Sequence, residues 1–189
     1  MTHSGPKLVV LSGPSGAGKT TIAKHLEKHA NLRPSISATT RARRPNEVDG
    51  EDYFFLTREQ FRAWIDQGQF IEFAEVFGNL YGTPHKGLEA IQAQGFHPLL
   101  DVDVQGCAQL RKMGYPGVYI FISVPDPATL RRRLQQRGTP ADEIERRVAR
   151  YEMEMSQRKQ LYDHEVENQD LNRAIAEVEK IIQHDLFGR

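Results

Sequence analysis

The sequence predicts an α/β fold, a parallel sheet flanked by helices. Two observations carry this. An apolar run, Leu8-Val9-Val10-Leu11, leads through a glycine-rich loop into a helical pattern marked by Ile22, Ala23 and Leu26. Strand then helix returns late in the chain. There Val118 to Val124, the most strand-like stretch, is closed by Pro125 and followed by a helix that Asp126-Pro127 opens. At 189 residues the chain suits one domain, 1–189, able to bury a sizeable core.

The first loop carries chemistry. Gly13-Pro14-Ser15-Gly16-Ala17-Gly18-Lys19-Thr20 satisfies G-x-x-x-x-G-K-[ST], the phosphate-binding P-loop. Its place between a strand and a helix turns the pattern into a structural expectation, a P-loop NTPase-type core. Glycines let successive backbone N–H groups curl around triphosphate oxygens, and the helix N-terminus behind them favours negative charge. Lys19 can reach the β- and γ-phosphates, and Thr20 can offer its hydroxyl to Mg²⁺. Gly13 through Thr21 are therefore the expected ATP-binding residues.

Bulk properties exclude other classes. Lys+Arg and Asp+Glu are both 25, so no basic excess marks a general nucleic-acid or membrane-surface binder. A single Cys107 rules out an internal disulfide framework and is expected to be a small buried side chain. No basic-then-apolar leader is read at the start, and Val118 to Val124 is too short to span a bilayer. A soluble, cytoplasmic protein with no nucleic-acid, membrane or obligate protein partner is expected.

Between the two strand–helix pairs lies a mixed middle. Ser35 to Thr40 precedes a polar loop, Arg41 to Asp52, with Pro45 and Gly50. Tyr53 to Leu56 reads as a short strand. Thr57 with Gln60 three residues on is a capping-box pattern, and the helix runs through Phe61, Trp64 and Ile65 to Gly68. Phe70 to Val76 alternates as a strand that places Glu72 on one face with Phe70 and Ala74. Gly78 to Gly82 is expected to turn, and Thr83-Pro84 to open the next helix. Phe96 to Asp103 reads as a buried strand ending in two carboxylates. Beyond it, the helix from Asp126 is expected to run through Arg137 and stop at Gly138. A long helix from Pro140 carries Ile144, Val148, Tyr151 and Met155 on one face. Val166 to Asn168 makes a weak last strand, diluted by His164, Glu165 and Glu167, and Leu171 to Leu186 closes the chain as an amphipathic helix.

The middle segment brings a family resemblance. Ser35, Ser37, Thr39, Thr40, Arg41, Arg44, Glu47, Gly50 and Tyr53 fit S-x-S-x-T-T-R-x-x-R-x-x-E-x-x-G-x-x-Y, which resembles guanylate kinases. The likeness continues in F-I-E-F at Phe70 to Phe73, G-N-x-Y-G-T at Gly78 to Thr83 and L-D-V-D-V-Q-G at Leu100 to Gly106. R-L-x-x-R-G at Arg133 to Gly138 and Arg146-Arg147 follow, so nearly the whole chain is covered in order. The resemblance implies transfer of the ATP γ-phosphoryl to GMP, and to dGMP, with Mg²⁺ as cofactor. It implies a core (1–34, 99–137, 164–189), a small mixed α/β GMP-binding lobe (35–98) and a helical lid (138–163).

The implied roles answer physical needs. A nucleotide monoester is largely dianionic at neutral pH, its second pKa being about 6. Arg41 and Arg44 can grip its oxygens, and the phenols of Tyr53 and Tyr81 can donate to them. Guanine offers two adjacent N–H donors and a carbonyl. Glu72 can accept from both donors, while Ser37 and Thr83 serve the base edge. Asp103 completes guanine or Mg²⁺-water contacts, and Asp101 is the better candidate for the Mg²⁺ neighbourhood; which serves which is left open. Lys19, Arg41, Arg137 and Arg147 are the expected catalytic cations. Arg133 and Asn168 are implied on the ATP side. Arg131, Arg132, Arg146 and Arg150 read as solvated, and His85, His97 and His164 as ordinary.

The chain departs from the family pattern at Arg43, where proline is common, at Asn46, where glycine is common, and at Glu165 and Glu167 in the last strand. Two rivals remain. A ribose 1,5-bisphosphate kinase would share the P-loop and lid but need no guanine reader. A non-catalytic phosphopeptide-binding scaffold module would need neither Lys19 nor the lid arginines.

Overall fold

The computed structural model describes residues 5–188, so the outermost positions of the expected 1–189 unit lie outside the described residues. In chain order the elements begin with β1 (Leu8–Ser12), α1 (Lys19–Leu26), β2 (Leu32–Pro34), β3 (Ala38–Thr39) and β4 (Phe54–Phe55). Then come α2 (Arg58–Asp66), β5 (Phe70–Val76), β6 (Asn79–Pro84), α3 (His85–Ala93) and β7 (His97–Asp101). The rest are α4 (Val104–Lys112), β8 (Gly117–Ser123), α5 (Pro127–Gln136), α6 (Ala141–Leu161), β9 (His164–Glu167) and α7 (Leu171–Phe187).

Five strands form an all-parallel sheet in the order β2-β7-β1-β8-β9. Strand β1 lies at its centre with every residue buried. Val9 and Leu11 pack with Ile22 and Leu26 of α1 and Val178 and Ile182 of α7. Leu8 and Val10 face the other way, onto Leu88 of α3 and Cys107 and Leu110 of α4. Helices on both faces are why β1 is apolar without interruption. The edge strand β9 forms despite its charges, because Val166 is buried and half-buried His164 meets Asp185 of α7, while Glu165 and Glu167 face outward. Glu165 there pairs with Arg158 at 2.8 Å.

The second sheet, β4-β3-β6-β5, has its own core of Ala38, Phe61, Phe70 and Leu80, with Trp64 packed against it. Phe61 and Phe70 stack with ring centroids 4.5 Å apart. The expected capping box holds α2: Gln60 N donates to Thr57 Oγ1 at 3.2 Å and Thr57 N to Gln60 Oε1 at 2.8 Å.

Several expectations are corrected. Asn79 to Pro84 is strand β6, not a turn, because each of its residues is paired with β5 or β3. Thr83 lies inside that strand, and Pro84 is the N-cap of α3. The strand ending in two carboxylates stops at Asp101; Asp103 caps α4, a helix the apolar pattern did not reveal. Arg137 is the C-cap of α5, one residue beyond the helix. Finally, a register shift in β5 between Phe70 and Glu72 breaks the simple alternation. Phe70 turns to the α2 cluster and Ile71 to the α4 cluster, so Phe70 does not share the Glu72 face.

The β5–β6 turn is tight. Val76 pairs with Asn79, leaving Phe77 and Gly78 between them with φ of 49° and 78°. Positive φ at both positions is the type I′ requirement that asparagine and glycine normally meet. A bulky residue held there is strained by about 1–3 kcal/mol.

Truncating the centre of the second core, Phe61→Ala, is expected to lower unfolding stability by about 3–5 kcal/mol, read from the urea midpoint. An effect under about 1 kcal/mol would show that this core does not hold the second sheet.

Candidate nucleotide site

The P-loop leaves β1 at the carboxyl edge of the parallel sheet, where ligands of such sheets bind. Gly13 and Gly18 are required by close approach as well as by φ. A Cβ on Gly13 would fall 2.2 Å from the Ile122 carbonyl oxygen, and one on Gly18 2.3 Å from Asn168 Nδ2. Gly18 is also the N-cap of α1 and brings no side chain to its first N–H groups, which leaves them to an anion. Lys19 folds back over the loop, its ammonium donating to the carbonyls of Gly13 at 2.7 Å and Pro14 at 3.2 Å. Thr20 Oγ1 donates to Asp101 Oδ2 at 3.0 Å, because the parallel pairing of β1 with β7 sets Asp101 beside Leu11.

Across the cavity stands the polar loop after β3. Arg41 makes a fork onto Glu47, with bonds of 3.0 and 2.7 Å, and Glu47 also accepts from the Arg44 main chain at 2.9 Å. The Arg41 guanidinium lies 5.6 Å from the Tyr53 ring, and Tyr53 meets Tyr81 edge to face at 6.2 Å. Burial, with Asp101 nearby, pushes the Tyr53 phenol up, so it stays a neutral donor at physiological pH.

Glu72 is buried on the inner face of β5 and accepts from Thr83 Oγ1 at 2.5 Å. Its other oxygen lies against Gly106, where a Cβ would fall 2.2 Å from Oε2. Burial pushes the carboxyl up from its ordinary value near 4.5 to about 7; the Thr83 bond opposes this and Asp103 adds to it. Asp103 caps α4 through the Gly106 N–H at 2.9 Å and pairs with Arg150 at 3.1 Å. Arg150 Nε also lies 3.1 Å from Glu154, close enough for an ion pair though not aligned as a hydrogen bond. Glu154 is buried, and burial holds its carboxyl above the usual range against the pull of Lys19 and Arg150.

One cavity of about 490 Å³ gathers most of the expected residues. Gly13, Ser15, Gly16, Gly18, Lys19 and Thr20 line one side, and Ser37, Arg41, Arg44, Tyr53, Glu72 and Tyr81 the other. Asp101, Asp103, Arg137 and Arg147 close it. Arg147 donates to Ser15 Oγ and to Glu143. Pro14, Ala17, Thr21, Thr83, Arg133 and Asn168 are not among its lining residues. Thr83 stands behind Glu72. Asn168 Nδ2 donates to the Ala17 carbonyl at 2.7 Å, and Arg133 to the Asn168 carbonyl at 2.6 Å, so both reach the outer side of the loop.

Sequence reasoning gave no role to Glu47, Phe77, Glu143 or Glu154, and read Arg146 and Arg150 as solvated. Arg146 is exposed as expected, pairing with Asp142 at the cavity rim, whereas Arg150 is largely buried. Spacing held a signal for the acids: Glu143 lies four residues before Arg147 and Glu154 four after Arg150 on one helix. Among the described residues no cluster of three or more His, Cys, Asp or Glu is arranged to hold a metal, and no helix is long and apolar enough to cross a membrane.

A glycine-rich loop and a helix N-terminus at the carboxyl edge of an all-parallel sheet define a P-loop nucleotide-binding protein. The facing wall, with its own arginines and buried carboxylate, narrows that class. The chain belongs to the guanylate kinase family, whose sequence model matches residues 5–185, and so to the nucleotide kinases. A guanylate kinase of Rubrobacter xylanophilus is 42% identical over 184 residues, 96% of this chain and 96% of that protein. One of Wolbachia pipientis wMel is 45% identical over 181 residues, 94% of this chain and 90% of that protein. The crystal structure of a guanylate kinase from Anaplasma phagocytophilum superposes with a TM-score of 0.79 at 34% identity, covering 97% of this chain and 88% of that one. The SH3-kinase fragment of tight junction protein 3 shares the fold alone, with a TM-score of 0.56 and 12% identity over 97% of this chain and 59% of that one.

The raised Glu72 carboxyl has a consequence for stability. Between about 4.5 and about 7 the folded chain keeps a proton there that the unfolded chain has released, so this group makes the fold less stable as pH rises through that window. Glu72→Gln removes the charge, and is expected to melt higher than the parent at pH 8 with the difference shrinking toward pH 5. An equal or larger gain at pH 5 would contradict a raised carboxyl.

Proposed function

We propose that this protein transfers the γ-phosphoryl group of ATP to GMP, giving ADP and GDP, and accepts dGMP as well. One observation carries the choice of acceptor. A buried carboxylate, backed by a threonine hydroxyl, lines the cavity wall opposite a P-loop. Only a partner with paired N–H donors suits that acceptor. Adenine lacks the pattern, and a site built on such bonds can reject the analogue by about 10⁴–10⁵. Glu72 also disfavours a ribose 1,5-bisphosphate acceptor, and Lys19 with Arg137 and Arg147 disfavours a scaffold that transfers nothing.

The chemistry needs no strong general base. An oxygen of the ionised GMP phosphate attacks the γ-phosphorus, the bond to the β–γ bridging oxygen breaks, and its electron pair leaves with ADP. Catalysis is then alignment and neutralisation of charge. In this reading the P-loop amides and Lys19 hold the donor, the ammonium exchanging two loop carbonyls for phosphate oxygens. Arg41, Arg44, Tyr53 and Tyr81 hold the acceptor phosphate. Ser37, Thr83, Glu72 and Asp103 read the base, and Arg137 and Arg147 meet the transferring group. Asn168 and Arg133 act through the loop by fixing Ala17.

Thr20 and Asp101, two oxygen donors 3.0 Å apart at the loop mouth, fit Mg²⁺, which keeps several waters and takes few protein ligands. Held there, Mg²⁺ would supply positive charge to offset the negative charge of the ATP phosphates. We assign 35–98 as the lobe that carries GMP, 138–163 as a lid, and the remainder as the core. The separate apolar cluster of the second sheet, from Ala38 to Leu80, supports a distinct lobe, while α3 at its end packs Leu88 on the main sheet. Closure over both nucleotides would expel water that otherwise hydrolyses ATP.

A coupled ADP-release assay with Mg²⁺–ATP tests the reading. GMP and dGMP are expected to stimulate turnover, and AMP, UMP and ribose 1,5-bisphosphate are not. Absence of GMP stimulation overturns it. Because Glu72 must be ionised to accept both donors, the KM for GMP is expected to climb as pH falls below about 7, by up to about tenfold per unit. Glu72→Gln should weaken kcat/KM for GMP by about 10–100-fold and remove that dependence. A parent-like Gln variant would exclude Glu72 as the guanine reader.

A further inference from the structure

Phe77 is out of place in its turn. It sits at the first position of a two-residue hairpin with φ of 49°, where a bulky side chain is a conformational outlier. Outliers of this kind persist at sites where the surroundings use them. The surroundings here are two cations. The Phe77 ring lies 5.0 Å from the Arg147 guanidinium and 5.6 Å from that of Arg150, within cation–π range of both. It also lines the nucleotide cavity. Arg150 is pinned by Asp103 and Glu154, so it forms the fixed side of the contact. Arg147, on the same helix, is shared between Glu143 and Ser15 of the P-loop, and the Phe77 ring packs against its guanidinium.

We propose that Phe77 is a positioning residue for phosphoryl transfer: its ring holds the Arg147 guanidinium over the P-loop. The inference rests on the kinase reading above and deepens it. Phe77 and Glu72 belong to the same β5–β6 hairpin, so the element that carries the guanine reader also carries the brace for a phosphate-facing arginine. Arrival of the acceptor base and placement of the arginine are thereby mechanically joined. A turn optimised for its own conformation would carry asparagine at this position and lose the brace.

The test uses Phe77→Asn, which suits the turn, and Phe77→Tyr, which keeps the aromatic face. Phe77→Asn is expected to melt no lower than the parent. Its kcat with GMP should fall about 10–100-fold, as misplacement of a catalytic group does, with the KM for GMP within about twofold. Phe77→Tyr should keep kcat within about threefold of the parent. Parent-like kcat in Phe77→Asn, or equal losses in both variants, overturns the inference. Hydrogen exchange without nucleotide adds an arm independent of turnover. Amides 143–150 should exchange faster in Phe77→Asn than in the parent, and unchanged exchange counts against the brace. Lack of GMP-dependent turnover in the parent would indict the kinase reading instead, leaving the exchange arm to decide on Phe77.

Discussion

The contact between the Glu72 carboxylate and the backbone of Gly106 is the constraint on which the architecture turns. It joins the two sheets: β5 of the second meets α4, which packs on the first. Glycine at 106 allows this close approach, since a Cβ there would fall 2.2 Å from Oε2 and push the carboxylate away. The β5 bulge serves the same contact by sending Ile71 into the α4 cluster and leaving Glu72 beside it. Asp103 fixes the first turn of α4 against that carboxylate. A structural joint and the proposed base-reading group are thus one feature. The joint is kept although burial disfavours the charge it holds.

Charge is balanced locally rather than by bulk excess. Arg41 is matched by Glu47, Arg147 by Glu143, and Arg150 by Asp103 and Glu154. The cavity cations are thus neutralised by neighbouring acids, in a chain whose net charge is formally zero. These pairings also limit repulsion among clustered cations and keep the forks oriented. In the proposed function, phosphate oxygens would replace carboxylate partners with little side-chain movement, an electrostatic preorganisation by exchange of partners.

Much of this was legible in the sequence, for identifiable reasons. β1 and the P-loop are local: an apolar run buried on both faces and a glycine pattern demanded by φ and close approach. The long helix from Pro140 announced itself through Ile144 and Tyr151, both buried as the spacing requires. What stayed hidden depends on contacts remote in sequence. Strand β6 looked like a turn because Gly82 and Pro84 disguise it, yet Gly82 is needed where the Phe70 ring crosses the strand. Helix α4 is hard to see because it is short and carries Gly106 near its start, a residue that disfavours helix. Arg150 read as one more surface arginine, since nothing local reveals that Asp103 lies against it.

In the proposed function the buried Glu72 carboxyl, half-protonated near neutrality, becomes ionised when guanine supplies its two N–H donors. The most direct measurement is a ¹³C carboxyl NMR titration of Glu72 with and without GMP. The account predicts a midpoint near 7 in the protein alone and a fall of more than a unit when GMP is added. A midpoint near 4.5 in the protein alone, or one that GMP leaves unmoved, would contradict it.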